Sequence, residues 1–198
     1  MDVTTKSVRG GVLTREQFLP HEMRIVAALR MQGASDEQVI VRVKSENLFQ
    51  YPTERMVANR ATVCLRRLDA MVPTDAVCAA RGIDPKTAVE AASSLTRLMA
   101  SGTPTQADQA IFYSMICRYD IVRELVLVEM GERLQNFDYA FTAVDLNAFM
   151  TRFTTEYPDA ARWTEATVKR IKGSLRQTLG SVEKVGVEPH PKRVGPAS

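Results

Sequence analysis

Cysteine and histidine, which build disulfide frameworks and many metal centres, are scarce in this sequence. There are three cysteines, Cys64, Cys78 and Cys117, without any C-x-x-C spacing, and two histidines, His21 and His190. An odd number of isolated cysteines excludes a disulfide framework and argues against a zinc site. We therefore expect no metal and no cofactor, and thiols that suit a reducing cytoplasm.

Long uncharged segments are also missing. The longest, residues 98–107, has ten residues, whereas a membrane-spanning helix needs about 20 predominantly apolar residues. The opening MDVTTKSVRGG lacks the apolar stretch of a secretory signal. We expect a cytoplasmic protein that does not enter a membrane.

Charge is nearly balanced overall but is distributed unevenly. The chain has 26 Lys and Arg against 23 Asp and Glu, for a net charge of +3. Residues 1–72 and 158–198 carry net charges of +3 and +4, whereas residues 73–157 carry −4. Two basic ends around an acidic middle favour a polyanionic partner such as nucleic acid. Chance clustering of charges is the alternative.

Apolar residues recur at helical spacing along most of the chain, and strand-like alternation is absent before the C-terminus. We predict an all-α protein with two packed helical blocks that contain helix-turn-helix-like elements. Residues 1–72 form an N-terminal helix-turn-helix-like block, residues 73–136 a central acidic helical block, and residues 137–198 a C-terminal winged-helix-like block. The tail, residues 185–198, forms a small β hairpin or is disordered.

Capping residues mark the expected helix starts. Ser35 and Gln38 have the spacing of a capping box, and Thr53, Asp84 and Thr164 each precede an apolar-periodic run. Proline at a first helical turn supports further starts at Pro20 and Pro85. Three later starts are expected: one that Thr105 and Asp108 open, one at Asp120 and one at Asp145.

The helix predicted from Thr53 to Met71 carries a polar face. Spacings of four, three and four residues place Arg55, Asn59, Thr62 and Arg66 on that face, and Arg60 and Arg67 flank it. Arg and Asn read guanine and adenine edges, and a helix-turn-helix protein inserts its second helix into the major groove. However, the connection LFQYP exceeds the usual turn of three to four residues. The alternative is a solvated face with ion pairs to the acidic middle.

The last predicted helix gives a second basic face. Its apolar side carries Val168, Ile171, Leu175 and Leu179, and its other side carries Lys169, Arg170, Lys172 and Arg176. Lys192 and Arg193 follow in the tail, in the order of a winged helix. These twelve residues of the two faces and the tail are the candidate DNA contacts. An ordinary amphipathic terminal helix is the alternative.

Neither the aromatic residues nor the acidic clusters of the sequence form a pattern that indicates a catalytic site. We expect core positions for the aromatics of the middle segment, Phe112, Tyr113, Tyr119, Phe137, Tyr139 and Phe141, and an anchoring role for Tyr157 and Trp163.

No P-loop, dinucleotide-binding, zinc-protease or nucleophile-elbow motif occurs. Cys117 has no histidine nearby in sequence, and the carboxylates of residues 124–138 lack a nuclease arrangement. We expect no catalytic residue and no small-molecule substrate.

Three stretches, residues 46–71, 109–150 and 163–182, together with the opening KSVRGGVLTREQF, resemble the BrxA family of BREX bacteriophage-exclusion systems. The resemblance covers residues 6–185. It implies a helical, non-enzymatic protein that binds double-stranded DNA and acts in phage resistance beside other BREX proteins. An adaptor that docks such proteins through its acidic, aromatic-rich middle, or an RNA-binding helical bundle, are the alternatives.

Overall fold

The computed structural model describes residues 11–14 and 16–183, and within these ranges the chain is helical and contains no strand. A short 3₁₀ turn, Gly11–Thr14, precedes ten helices. The first five are α1 (Pro20–Met31), α2 (Asp36–Ser45), α3 (Glu54–Ala70), α4 (Asp75–Arg81) and α5 (Pro85–Ser101). The others are α6 (Pro104–Arg118), α7 (residues 120–135, π-helical over Glu124–Met130), α8 (Ala143–Glu156), α9 (Pro158–Ala161) and α10 (Glu165–Glu183). The predicted all-α class is confirmed.

Several predicted helix starts are confirmed by side-chain caps. Ser35 and Gln38 form the capping box of α2, and the side chains of Thr53 and Asp84 accept backbone N–H groups in the first turns of α3 and α5. Thr164 Oγ1 accepts the Thr167 N–H at 3.2 Å at the start of α10. Local sequence therefore decides these boundaries, because each cap satisfies an otherwise unpaired N–H of its own helix.

Three predicted starts are wrong by one to five residues. Thr103 caps α6 and Thr142 caps α8, in boxes completed by Gln106 and Asp145 at the third helical position. In both cases the upstream threonine hydroxyl is the N-cap. Of the predicted residues, Thr105 and Asp145 lie inside the first turns, and Asp108 is the fifth residue of α6. Asp120 is the first residue of α7 and does not cap it.

The buried apolar residues form one cluster that extends from Leu13 to Leu175. α1 packs on α5, α3 packs on α2 and α6, and α6 also packs on α10. The 3₁₀ turn lies against α10, where Ser174 Oγ donates to the Leu13 carbonyl at 2.9 Å. The cluster includes residues from each of the three predicted blocks, and the division into blocks stays a prediction.

Not all predicted core aromatics are buried. Tyr119 is buried, whereas Phe137 and Tyr139 keep 79% and 74% of their surface exposed and Tyr113 is also exposed. Phe137 and Tyr139 lie in the loop between α7 and α8, where no helical periodicity directs a side chain to the core. Tyr157 and Trp163 do pack on Phe153, as an anchor of the α10 N-terminus requires.

The predicted C-terminal hairpin lies outside the described residues. No helix within residues 11–14 and 16–183 combines the length and the apolar character needed to cross a bilayer.

Candidate nucleic-acid interface

The outer face of α10 presents a set of cations. Lys169, Arg170 and Arg176 are exposed, and Lys172 is half-buried and donates to Asn147 Oδ1 at 3.0 Å. The opposite side of α10 packs into the core, through Ile171 and Leu175. Within the described ranges, no carboxylate lies within salt-bridge distance of Lys169, Arg170 or Arg176. Their charges are therefore not neutralised locally.

The polar face of α3 is only partly available to a partner. Arg55, Asn59 and Arg66 are exposed, and Arg60 is half-buried. The Thr62 hydroxyl donates to the Ala58 carbonyl at 2.9 Å, so this side chain bonds its own helix. α2 and α3 pack together, but the connection between them, residues 46–53, is longer than a helix-turn-helix turn.

Arg67 is fully buried, and its assignment as a DNA contact is wrong. Its guanidinium donates to the backbone carbonyls of Glu16, Gln17 and Phe18 at 2.6 to 3.0 Å, and its Nε donates to the Tyr119 hydroxyl at 3.1 Å. The Tyr119 hydroxyl donates in turn to the Glu16 carboxylate. Burial is the main cause that raises the pKa of Tyr119, and the tyrosine remains a donor. Arg67 thus attaches the segment before α1 to α3.

The same segment turns one side of α3 into the wall of a cleft. A cavity of about 530 Å³ is lined by Thr14 and Glu16 of this segment and by α3 residues that include Asn59, Arg60 and Arg66. Arg66 also lines a second cavity of about 460 Å³, which it shares with Arg118 at the end of α6. Thr14, Glu16 and Arg118 were not predicted as site residues, because they are distant from α3 in sequence.

Two arginines outside the α10 face, Arg133 on α7 and Arg152 on α8, are neutralised by carboxylates. Arg133 forms ion pairs of 2.6 Å with both Asp138 and Asp145, and Arg152 forms one of 2.8 Å with Glu129. Hydrogen bonds from Thr142, and secondarily the charge of Arg133, lower the pKa of Asp145. For the α3 face, the alternative was ion pairs with the acidic middle; within the described ranges, neither Arg55 nor Arg66 forms an ion pair with a carboxylate.

Two of the thiols, Cys64 and Cys117, lie in environments that disfavour the reactive thiolate. All three cysteines are free, and burial raises the pKa of Cys64 to about 12 and also raises the pKa of Cys117. In the part of the chain that the structure describes, no group of three or more His, Cys, Asp or Glu side chains is arranged to hold a metal ion. The predicted contacts Lys192 and Arg193 lie outside the described residues.

Comparison with models of known protein families gives a match. The family model named BrxA matches residues 11–184, which is most of the chain. No curated protein matches it.

Proposed function

The chain belongs to the BrxA family, and we propose that it is a non-enzymatic, cytoplasmic component of a BREX anti-phage system that binds double-stranded DNA. Membership of the family implies a BREX-associated protein. The observation that carries the DNA proposal is the α10 face, where Lys169, Arg170 and Arg176 are exposed and have no carboxylate partner among the described residues. Phosphate oxygens are the natural partners of such cations.

The α10 face supports a phosphate contact better than base reading. A lysine and two arginines on the outside of a helix supply charge along the DNA backbone, and such contacts position a protein without specifying a sequence. Arg55 adds an exposed cation at the start of α3. Lys192 and Arg193 are two further cations that we assign to the same role. Any preference for particular DNA sites would then come from the shape of the DNA more than from contacts with base edges.

A charge reversal tests this function. We expect a labelled duplex of about 30 base pairs to bind saturably at 50 mM salt. A variant that combines Lys169→Glu, Arg170→Glu and Arg176→Glu should bind the duplex about tenfold more weakly or worse. The log–log salt slope should become shallower by about 0.9 per lost phosphate contact. The matched control reverses the charges of Lys86 and Arg97 on α5, which are also exposed. This control variant should bind the duplex as the parent protein does. Absence of binding to duplex DNA at 50 mM salt would refute the proposal.

The exposed aromatics favour a second candidate, an adaptor for other BREX proteins. Phe137 takes a left-handed backbone conformation with φ of 58°, which is costly for a bulky residue. Its side chain is nevertheless 79% exposed, and Tyr139 and Leu134 in the same stretch of the chain are 74% and 58% exposed. Exposed apolar groups in one place often mark protein contacts. If a titration with duplex DNA shows no binding, the adaptor function becomes the better supported of the two candidates.

A further inference from the structure

The cations of α10 lie beside the outer surface of α8. Lys172 Nζ donates to Asn147 Oδ1 on α8 at 3.0 Å. Arg176, one turn further along α10, lines a cavity of about 260 Å³ together with Thr142 and Ala143 at the start of α8. Higher residue numbers on α10 therefore lie beside lower numbers on α8, so the two helices pack in antiparallel directions. The basic face of α10 is thus continuous in space with the exposed side of α8.

This side of α8 presents no free negative charge. Its exposed residues up to position 151 are all uncharged: Thr142, Ala143, Val144, Asn147, Ala148 and Thr151. The two carboxylates of α8 are engaged. Asp145 forms an ion pair with Arg133 at 2.6 Å, and Glu156 at the other end forms one with Arg152 at 3.6 Å. A surface of this kind, beside cations that have no carboxylate partner among the described residues, complements a polyanion.

Asn147 has the side chain of this surface that can still donate hydrogen bonds to a ligand. The Thr142 hydroxyl already donates to Asp145 Oδ2 at 2.6 Å, and the Thr151 hydroxyl donates to a backbone carbonyl of its own helix at 3.1 Å. The Asn147 amide accepts Lys172 through Oδ1, and its Nδ2 has no acceptor among the described residues. Two N–H groups of an exposed side chain are therefore left for a ligand. The ammonium of Lys172 polarises the amide and strengthens these donors.

We propose that the exposed side of α8 is the second part of the duplex-binding surface, and that Asn147 donates through Nδ2 to a phosphate oxygen of the DNA that the α10 cations hold. Asparagine side chains make such phosphate contacts in protein–DNA complexes. The inference rests on the proposed function, since it takes the polyanion to be duplex DNA. It adds a neutral contact from α8 to the charged contacts of α10.

Replacing the amide by a carboxylate tests this contact. In Asn147→Asp a carboxylate oxygen can still accept Lys172, but both N–H donors are lost and a negative charge faces the phosphate. We expect this variant to bind the duplex about tenfold more weakly than the parent protein at low salt, because like charges repel. Asn147→Ala, which loses only the donors, should bind about threefold more weakly. It should leave the log–log salt slope unchanged, because a neutral contact releases no counterion.

The matched control is Ala91→Glu, which adds the same single negative charge at an exposed position of α5. It should bind the duplex within about twofold of the parent protein. An equal loss of affinity in this control would overturn the inference, because the effect would then follow from overall charge. A melting temperature of Asn147→Asp clearly below that of the parent protein would also overturn it, because the loss would then follow from unfolding.

The remaining outcomes separate this inference from the proposed function. If Asn147→Asp binds the duplex as tightly as the parent protein, the contact from α8 is refuted and duplex binding by α10 stands. If the parent protein itself does not bind the duplex, the proposed function is refuted and the inference falls with it.

Discussion

Arg66 and Arg67 are adjacent in sequence and have opposite environments. Arg66 is exposed, lines two cavities and has no ion pair among the described residues. Arg67 is completely buried and donates to three carbonyls and one hydroxyl. A buried guanidinium is tolerated only when its N–H groups have acceptors, and the acceptors in turn depend on it. The first arginine is thus suited to a ligand, and the second supports the fold.

Replacing these two arginines should separate the roles. We expect Arg67→Ala to lower the free energy of unfolding by about 3–5 kcal/mol, because it creates a cavity and leaves buried carbonyls unpaired. Arg66→Ala, the matched control, should change it by no more than about 0.5 kcal/mol. Urea denaturation followed by circular dichroism gives both values. Similar stabilities for the two variants would contradict the assignment of Arg67.

The start of α8 depends on one carboxylate that makes several contacts. Asp145 Oδ2 accepts the backbone N–H of Thr142 at 2.7 Å and its hydroxyl at 2.6 Å, and Oδ1 accepts a guanidinium N–H of Arg133 at 2.6 Å. These bonds favour the ionised form and lower the pKa of Asp145 below its ordinary value. The first turn of α8 is therefore tied to the end of α7 by the charge of this residue.

This arrangement predicts a dependence on pH. A carboxyl whose pKa is lowered by folding stabilises the folded state above its unfolded pKa of about 3.9, and the contribution disappears as the pH falls through the folded pKa. We expect Asp145→Asn to be less stable than the parent protein at pH 6, with the difference shrinking below about pH 4. Thermal unfolding across that range measures it. Glu132→Gln, an exposed control on α7, should show no such difference, and a pH-independent effect of Asp145→Asn would contradict the explanation.

At the scale of the whole molecule, the two ends of the described chain meet. The segment before α1 is fixed to α3 by Arg67 and to α10 by the bond between Ser174 and the Leu13 carbonyl. α6 lies between α3 and α10 and packs on both. Because the buried residues of these elements form one cluster, loosening one of them exposes apolar surface of the others.

The shared core predicts a single cooperative unfolding transition. The fluorescence of Trp163, the one tryptophan in the chain, should change at the same denaturant concentration as the helical circular dichroism signal. Ser174→Ala should lower the midpoint in both signals together, since it leaves the buried Leu13 carbonyl without its donor, at a cost of about 1–3 kcal/mol. Two separated transitions would instead show that the predicted blocks unfold as independent units.

Much of the fold was predictable from local sequence. The apolar stripe of α3, including Val57, Ala61 and Cys64, is buried as its spacing predicts, and so are Ile171 and Leu175 of α10. Helical period and capping are properties of neighbouring residues, so they can be recognised in the sequence without knowing the fold. The π-helical segment of α7 was missed, because a period of 3.6 residues does not indicate it.

The helical class, most helix positions and the exposed cations of α10 follow from local sequence, since each depends on residues within a turn or two of one another. The burial of Arg67, and the cavities that Arg66 lines together with Thr14, Glu16 and Arg118, follow only from how distant segments pack. Arg67 and Tyr119 are 52 residues apart, and Glu16 and Tyr119 are 103 apart. Helical spacing states which residues share a face, but the burial of that face depends on which distant segment packs against it.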